Sequence, residues 1–197
     1  MTFSTHGGVH GIADPFWIVR ISLQHFKDLV HFMMFSSVFV GIVCAAMTYI
    51  SCFIQGLPCS FSILTIPFLV TFSIYNLNKR TDEIEDSINR QDRYRFTKRY
   101  ERPLTTGAFA AYAIACALAV FSGPLALFIT AFPFITGTMY STRWLPARYP
   151  YRRLKDIPVV KNIVVSCSWI FFAGLLPLSM NGAAPNDRTL IILISFF

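Results

Sequence analysis

Asn78, Asp82 and Asp86 follow one another at four-residue intervals, directly after a long apolar stretch. If a helix continues through this segment, the three side chains lie on one of its faces. Two carboxylates at that spacing repel each other mildly, and a divalent cation between them reverses the sign of that interaction. Oxygen ligands suit Mg²⁺, which keeps several waters and shares one or two carboxylates with a substrate phosphate. The alternative is a solvated charged loop, in which Lys79 and Arg80 offset the acidic residues.

A second polar segment carries the opposite charge. Lys155 and Lys161 flank Pro158, a residue well suited to the first turn of a helix. The free backbone N–H groups of such a helix start, together with the two lysines, would form an anion site. Both lysines fit equally well as positive anchors beside a membrane. One segment for a metal and another for a polyanion together indicate a lipid diphosphate, with apolar helices around its tail.

The elements that position these residues are predicted by the placement of charge. The chain has 197 residues, and 54% of them are hydrophobic. Three long runs lack Asp, Glu, Lys and Arg, and they cover residues 29–78, 103–142 and 162–186. Because roughly 20 helical residues cross a bilayer, these runs hold two, two and one crossings. We therefore predict an all-α membrane protein, a multi-pass transmembrane bundle of five complete helices plus the start of a sixth. The five are expected at about residues 29–54, 58–78, 105–122, 125–142 and 159–180.

Basic residues predict the orientation. Of the 17 Lys and Arg residues, all but Arg188 lie before the first predicted helix or in the segments 79–104 and 141–161. The positive-inside rule then places the N-terminus and both segments in the cytoplasm. The expected organisation is a cytoplasmic or interfacial segment over 1–28 and a transmembrane helical domain over 29–197. A nucleic-acid partner is not expected, because no basic soluble domain is present.

The two polar segments together resemble motifs of the UbiA-type family of membrane prenyltransferases. Asn78-xxx-Asp82-xxx-Asp86 is similar to the family's first Asp-rich motif, and Tyr151-xxx-Lys155 is similar to its Tyr-xxx-Lys motif. The resemblance extends over essentially the whole chain, including the order of the helices. It implies that the first motif holds Mg²⁺ and a prenyl diphosphate, with Asp82 and Asp86 as metal ligands. It also implies catalytic roles for Tyr151 and Lys155 near the diphosphate or the developing cation.

Further candidates for binding the diphosphate are Arg153 and Lys161, which lie outside both motifs. The implied function is Mg²⁺-dependent transfer of an isoprenoid chain from a prenyl diphosphate to an aromatic or lipid acceptor within the membrane. The alternative is a non-catalytic membrane subunit or a truncated remnant of such an enzyme. A phosphoalcohol transferase is a weaker third alternative, because the Asp-Gly…Ala-Arg…Gly…Asp pattern of that family is absent around Asp82. Neither the acceptor nor the oligomeric state follows from these residues.

The chain departs from the family pattern in two places. Many members have Asp directly after the Asn of the first motif, where this sequence has Lys79. The family usually has about nine helices, with a second Asp-rich motif after the sixth. Since residues 189–197 only begin a sixth crossing, we expect the chain to be an N-terminal portion or a shortened relative, with its helical domain incomplete at the C-terminus.

Overall fold

The structure, a computed structural model, describes residues 17–143, 146, 148, 151 and 153–196, and only the backbone of residues 17–21, 158, 161 and 196. The chain forms two compact units, and the boundary between them lies between Phe32 and Met33. All regular structure in the described residues is helical. The α-helices are α1 (Trp17–Phe35), α2 (Val38–Gln55), α3 (Phe61–Thr81), α4 (Glu83–Asn89), α5 (Gln91–Arg99), α6 (Glu101–Ser122), α7 (Pro124–Ser141), α8 (Pro158–Trp169), α9 (Leu176–Asn181) and α10 (Asp187–Phe196).

Five helical segments are long and apolar enough to cross a membrane. They are α2, α3, α6, α7 and the segment Asn162–Asn181, which runs from α8 into α9. The prediction of an all-α, multi-pass bundle is therefore confirmed. Four of the five begin and end within a few residues of the predicted bounds, because Gly-Pro breaks and charged residues mark their ends.

The first crossing begins later than predicted, at Val38 rather than near residue 29. Two serines separate it from α1, and Ser37 adopts the left-handed conformation with φ 68°. The carbonyl groups at the end of α1 lack partners within their own helix. Side chains of α3 supply these partners: Lys79 Nζ donates to the carbonyl of Phe35, and Asn76 Nδ2 donates to that of Ser36 at 2.9 Å. The break is therefore stabilised by side chains of α3. The apolar sequence around residues 36 and 37 does not predict it, because these partners are distant in the chain.

The core of the second unit forms around α3, which packs against α2, α6 and α7. Helix α6 turns a line of buried alanines inward, namely Ala108, Ala111, Ala115 and Ala119. Small residues on such a line let two helix backbones approach closely, which is how helices commonly pack in membranes. Large apolar side chains such as Phe53, Phe61 and Phe121 are exposed instead. This outward apolar surface is what a bilayer requires.

The fifth crossing contains a π-helical turn at Ile170–Leu175, which the sequence did not predict. Such turns occur mostly as single insertions within α-helices, often at functional sites. The Gly174 carbonyl accepts a hydrogen bond from Gln55 Nε2 at 3.4 Å, and Gln55 Oε1 accepts one from Thr189 Oγ1 at 3.0 Å. These bonds join α2, the π turn and α10 at one end of the bundle.

The charged segment after α3, for which the sequence allowed either a continued helix or a solvated loop, is mostly helical. Helix α4 has three acidic residues in its first turn, and α5 has Lys98 and Arg99 in its last. Negative charge at the start of a helix and positive charge at its end are favourable interactions with the helix dipole. Arg90, with φ −143° and ψ 63°, separates the two helices and lets α5 fold back beside α4.

Candidate functional site

A cavity of about 350 Å³ opens where α3 and α7 end. Its interior is largely apolar, and Ile74, Val164, Trp169 and Phe172 are among the residues that line it. Charged residues line the part near the helix ends: Lys79, Asp82, Glu85, Arg93, Lys155 and Asp156. Along α3 the lining residues extend from Lys79 to Thr71, a distance of about 12 Å at the rise of an α-helix. A ligand with a charged head and an apolar tail matches this arrangement.

Asp82 and Lys155 form an ion pair at the charged end of the cavity. Asp82 ends α3, with φ −99° and ψ 5°, and Lys155 lies in a 3₁₀ turn at Leu154–Asp156. The Lys155 side chain is only 9% exposed, and that of Asp82 is 24% exposed. Two residues that the sequence assigned to separate segments, one to the metal and one to the anion, are therefore in direct contact.

Asn78 lies one helical turn before Asp82 and also lines the cavity. Its Oδ1 accepts a hydrogen bond from Ser141 Oγ at 2.9 Å, which links the ends of α3 and α7. Asn78 and Asp82 thus both line the cavity, as their four-residue spacing predicts.

Arg153 connects the 3₁₀ turn to α4. Its guanidinium pairs with Glu85 and also with Asp156, where Nε donates to Oδ1 at 3.0 Å. Burial acts to raise the pKa of Asp156, but the hydrogen bonds from Arg153 outweigh it, so this pKa lies below its usual value. Arg153 does not line the cavity itself, whereas Glu85, which the sequence assigned no role, does.

Asp86 lies away from this surface. It is 5% exposed and does not line the cavity, and its two carboxylate oxygens accept hydrogen bonds from Arg93 of α5, one of them from Nε at 2.7 Å. Asn78 and Asp82 therefore share the cavity surface, and Asp86 does not. The backbone hydrogen bonds continue from α3 into α4, where the Asp86 amide donates to the Asp82 carbonyl at 2.9 Å, but Asp82 between the two helices has φ −99° and ψ 5°. The role of Asp86 as a metal ligand stays a prediction.

Two tyrosines line the cavity, but neither of them is Tyr151 of the Tyr-xxx-Lys motif. Tyr151 is 43% exposed and is not among the lining residues, while Tyr75 and Tyr140 are. Tyr75 precedes Asn78 by three positions on α3, so helical spacing from the predicted site could have identified it. Lys161 begins the second turn of α8, and its side chain lies outside the described part of the structure.

Among the described residues in and around the cavity, positive and negative groups are equal in number. The described carboxylates are Asp82, Glu85, Asp86 and Asp156, and the described basic groups are Lys79, Arg93, Arg153 and Lys155. Since the numbers are equal, a polyanion that enters this cavity needs an accompanying cation, or the existing ion pairs must open.

The oxygen atoms on the cavity surface fit a hard divalent cation such as Mg²⁺. They include the amide of Asn78 and the carboxylates of Asp82 and Glu85. Within the described ranges, no three Asp, Glu, His or Cys side chains converge on one point. A metal here would therefore share its coordination sphere with water and a ligand phosphate, which is the usual arrangement for Mg²⁺.

No protein-family model, curated protein or solved structure matches the chain.

Proposed function

We propose that this protein transfers an isoprenoid chain from a prenyl diphosphate to an acceptor within the membrane, and that the reaction depends on Mg²⁺. The observation that carries the proposal is the Asp82–Lys155 ion pair at the charged end of a largely apolar cavity. A prenyl diphosphate has an anionic head and an apolar tail. The cavity has a charged end for the head and an apolar interior for the tail.

The charged groups of the site are paired with one another, Lys155 with Asp82 and Arg153 with Glu85. With a diphosphate and its cation bound, Lys155 would pair with phosphate oxygens in place of the Asp82 carboxylate, and Asp82 would hold the cation. Asn78 and Glu85 supply further oxygen atoms at the same surface. Lys155 and Asp82 would each keep an opposite charge beside them after the exchange.

The reaction breaks the bond between the allylic carbon and the diphosphate oxygen. The bonding electron pair leaves with the diphosphate, the acceptor nucleophile forms the new bond to carbon, and the acceptor loses a proton. Mg²⁺ supplies positive charge that stabilises the leaving diphosphate. Lys155 contributes a second positive charge. Tyr75, Trp169 and Phe172 line the cavity that would hold the electron-deficient carbon chain, and aromatic rings stabilise positive charge at their faces.

The acceptor reaches the site from the bilayer and is an aromatic or lipid molecule. Basic residues favour a cytoplasmic location for the charged end of the cavity, with the N-terminus and the segments 79–104 and 141–161 on that side. The ion pairs Asp82–Lys155 and Glu85–Arg153 support a common location for both segments, since they join one to the other.

The test is binding of geranyl diphosphate to the purified protein in the presence of Mg²⁺. Asp82→Asn and Lys155→Gln each remove a charge that the bound diphosphate or its cation requires. Each should raise the Kd at least about tenfold, equivalent to about 1.4 kcal/mol.

Glu83→Gln is the matched control, because Glu83 neighbours Asp82 but pairs with Lys98 at 2.6 Å, outside the cavity. It should change the Kd less than about twofold, as expected for an exposed ion pair. Equal, small effects of all three substitutions would remove the support for this site. Tight Mg²⁺-dependent binding without diphosphate release, in the presence of candidate acceptors, would instead favour a non-catalytic membrane subunit.

A further inference from the structure

Asp86 of α4 and Arg93 of α5 form an ion pair in which only Arg93 reaches the cavity. The carboxylate is nearly inaccessible, at 5% exposed, and lies outside the cavity. The guanidinium that it holds is partly exposed and lines the cavity wall. The pair therefore presents a positive charge to the cavity and keeps the negative charge behind it.

The contact is made by one edge of the guanidinium. Nε donates to one carboxylate oxygen of Asp86 at 2.7 Å, and Nη2 donates to the other. Within the described residues, Arg93 makes no other hydrogen bond or ion pair. Nη1 and one proton of Nη2 thus remain for a ligand in the cavity. A guanidinium held at two points by a carboxylate has a fixed orientation, which lowers the entropy lost when it binds an anion.

We propose that Asp86 is a positioning residue whose task is to hold Arg93 toward the diphosphate, and that it is not a ligand of the metal. This inference rests on the proposed function and names a group, Arg93, that acts on the same substrate from α5. Arg93 binds diphosphate oxygens directly, while Asp82 and Asn78 remain the oxygen donors on the side of the cation. Lys155 and Arg93 then contact the anion from two different elements.

The two roles for Asp86 predict different dependence on Mg²⁺. If Asp86 acts only through Arg93, Asp86→Asn should raise the Kd for geranyl diphosphate about tenfold and leave the Mg²⁺ concentration for half-maximal binding unchanged. Asp82→Asn should shift that Mg²⁺ concentration upward by at least about tenfold. Both quantities come from one set of titrations with geranyl diphosphate at varied Mg²⁺ concentration.

A double-mutant cycle isolates the path through Arg93. Arg93→Gln alone should weaken binding by about the same factor as Asp86→Asn, and the double variant should be no worse than either. Asp86→Glu should recover part of the lost affinity, because it keeps the carboxylate. The double variant also covers a folding defect of Asp86→Asn, since it leaves no partly buried guanidinium without its carboxylate.

The inference is overturned if Asp86→Asn shifts the Mg²⁺ dependence as Asp82→Asn does, or if its effect persists in full in the Arg93→Gln background. Either result would make Asp86 a metal ligand. Failure of the wild-type protein to bind geranyl diphosphate with Mg²⁺ is a different outcome. It would contradict the proposed function and this inference with it.

Discussion

Single side chains at the charged end of the cavity are held by ion pairs, and Asp156 is held by Arg153 at the start of its own 3₁₀ turn. Hydrogen bonds from Arg153 keep the pKa of Asp156 below its usual value, despite burial that acts in the opposite direction. A carboxyl group whose pKa is lower in the folded protein stabilises the fold above its unfolded pKa of about 3.9. This stabilisation is lost as the pH falls through the folded value.

Asp156→Asn should therefore lower the melting temperature of the detergent-solubilised protein by a constant amount between pH 7 and pH 5. Below about pH 4 the difference from the wild type should shrink, because the wild-type carboxyl group becomes protonated as well. In an Arg153→Gln background the difference should be smaller at every pH. A difference that grows on acidification would contradict the assigned ion pair.

The sequence was a better guide to which residues form the site than to the contacts between them. Spacing alone brought Asn78 and Asp82 together, since three or four positions on one helix share a face. The partner of Asp86 could not be found in this way. Arg93 lies seven positions further along, beyond a helix break at Arg90 whose direction the sequence does not specify. The contact exists only because α5 folds back beside α4.

At the scale of elements, the junction between α1 and α2 decides where the first crossing begins. Ser37 has φ 68°, a conformation that costs a residue with a Cβ atom roughly 1–2 kcal/mol. Glycine avoids this cost but loses more chain entropy on folding, about 0.5–1 kcal/mol. The carbonyl contacts from Asn76 and Lys79 hold the junction in place regardless of the side chain at position 37.

Ser37→Gly should consequently leave the stability unchanged or raise it by up to about 1 kcal/mol. Ser36→Gly is the matched control, because the neighbouring serine does not have positive φ and gains nothing from glycine. It should lower the stability by about 0.5–1 kcal/mol. Denaturant unfolding of both variants in the same detergent measures the difference, and a reversed order would show that Ser37 is not strained.

Whole-molecule architecture follows largely from where charge is absent. Runs without charged residues identified all five crossings, since a helix in lipid cannot leave polar groups exposed. The π turn at Ile170–Leu175 and the cavity beside it were not predictable. Both arise from packing between helices that are distant in sequence, such as the approach of Gln55 to Gly174. Sequence pattern thus indicates which segments cross the membrane, and packing determines what they enclose.

Transfer of a prenyl group requires that the charged and apolar parts of the cavity bind one ligand together. The most direct measurement is the Kd of the wild-type protein for geranyl diphosphate with Mg²⁺, compared with the Kd in EDTA and with that of geraniol, which lacks the diphosphate. We expect the diphosphate with Mg²⁺ to bind at least about tenfold more tightly than in either comparison, a difference of about 1.4 kcal/mol. Equal affinity for the diphosphate and the alcohol, or no loss of affinity in EDTA, would contradict the proposed metal–diphosphate site.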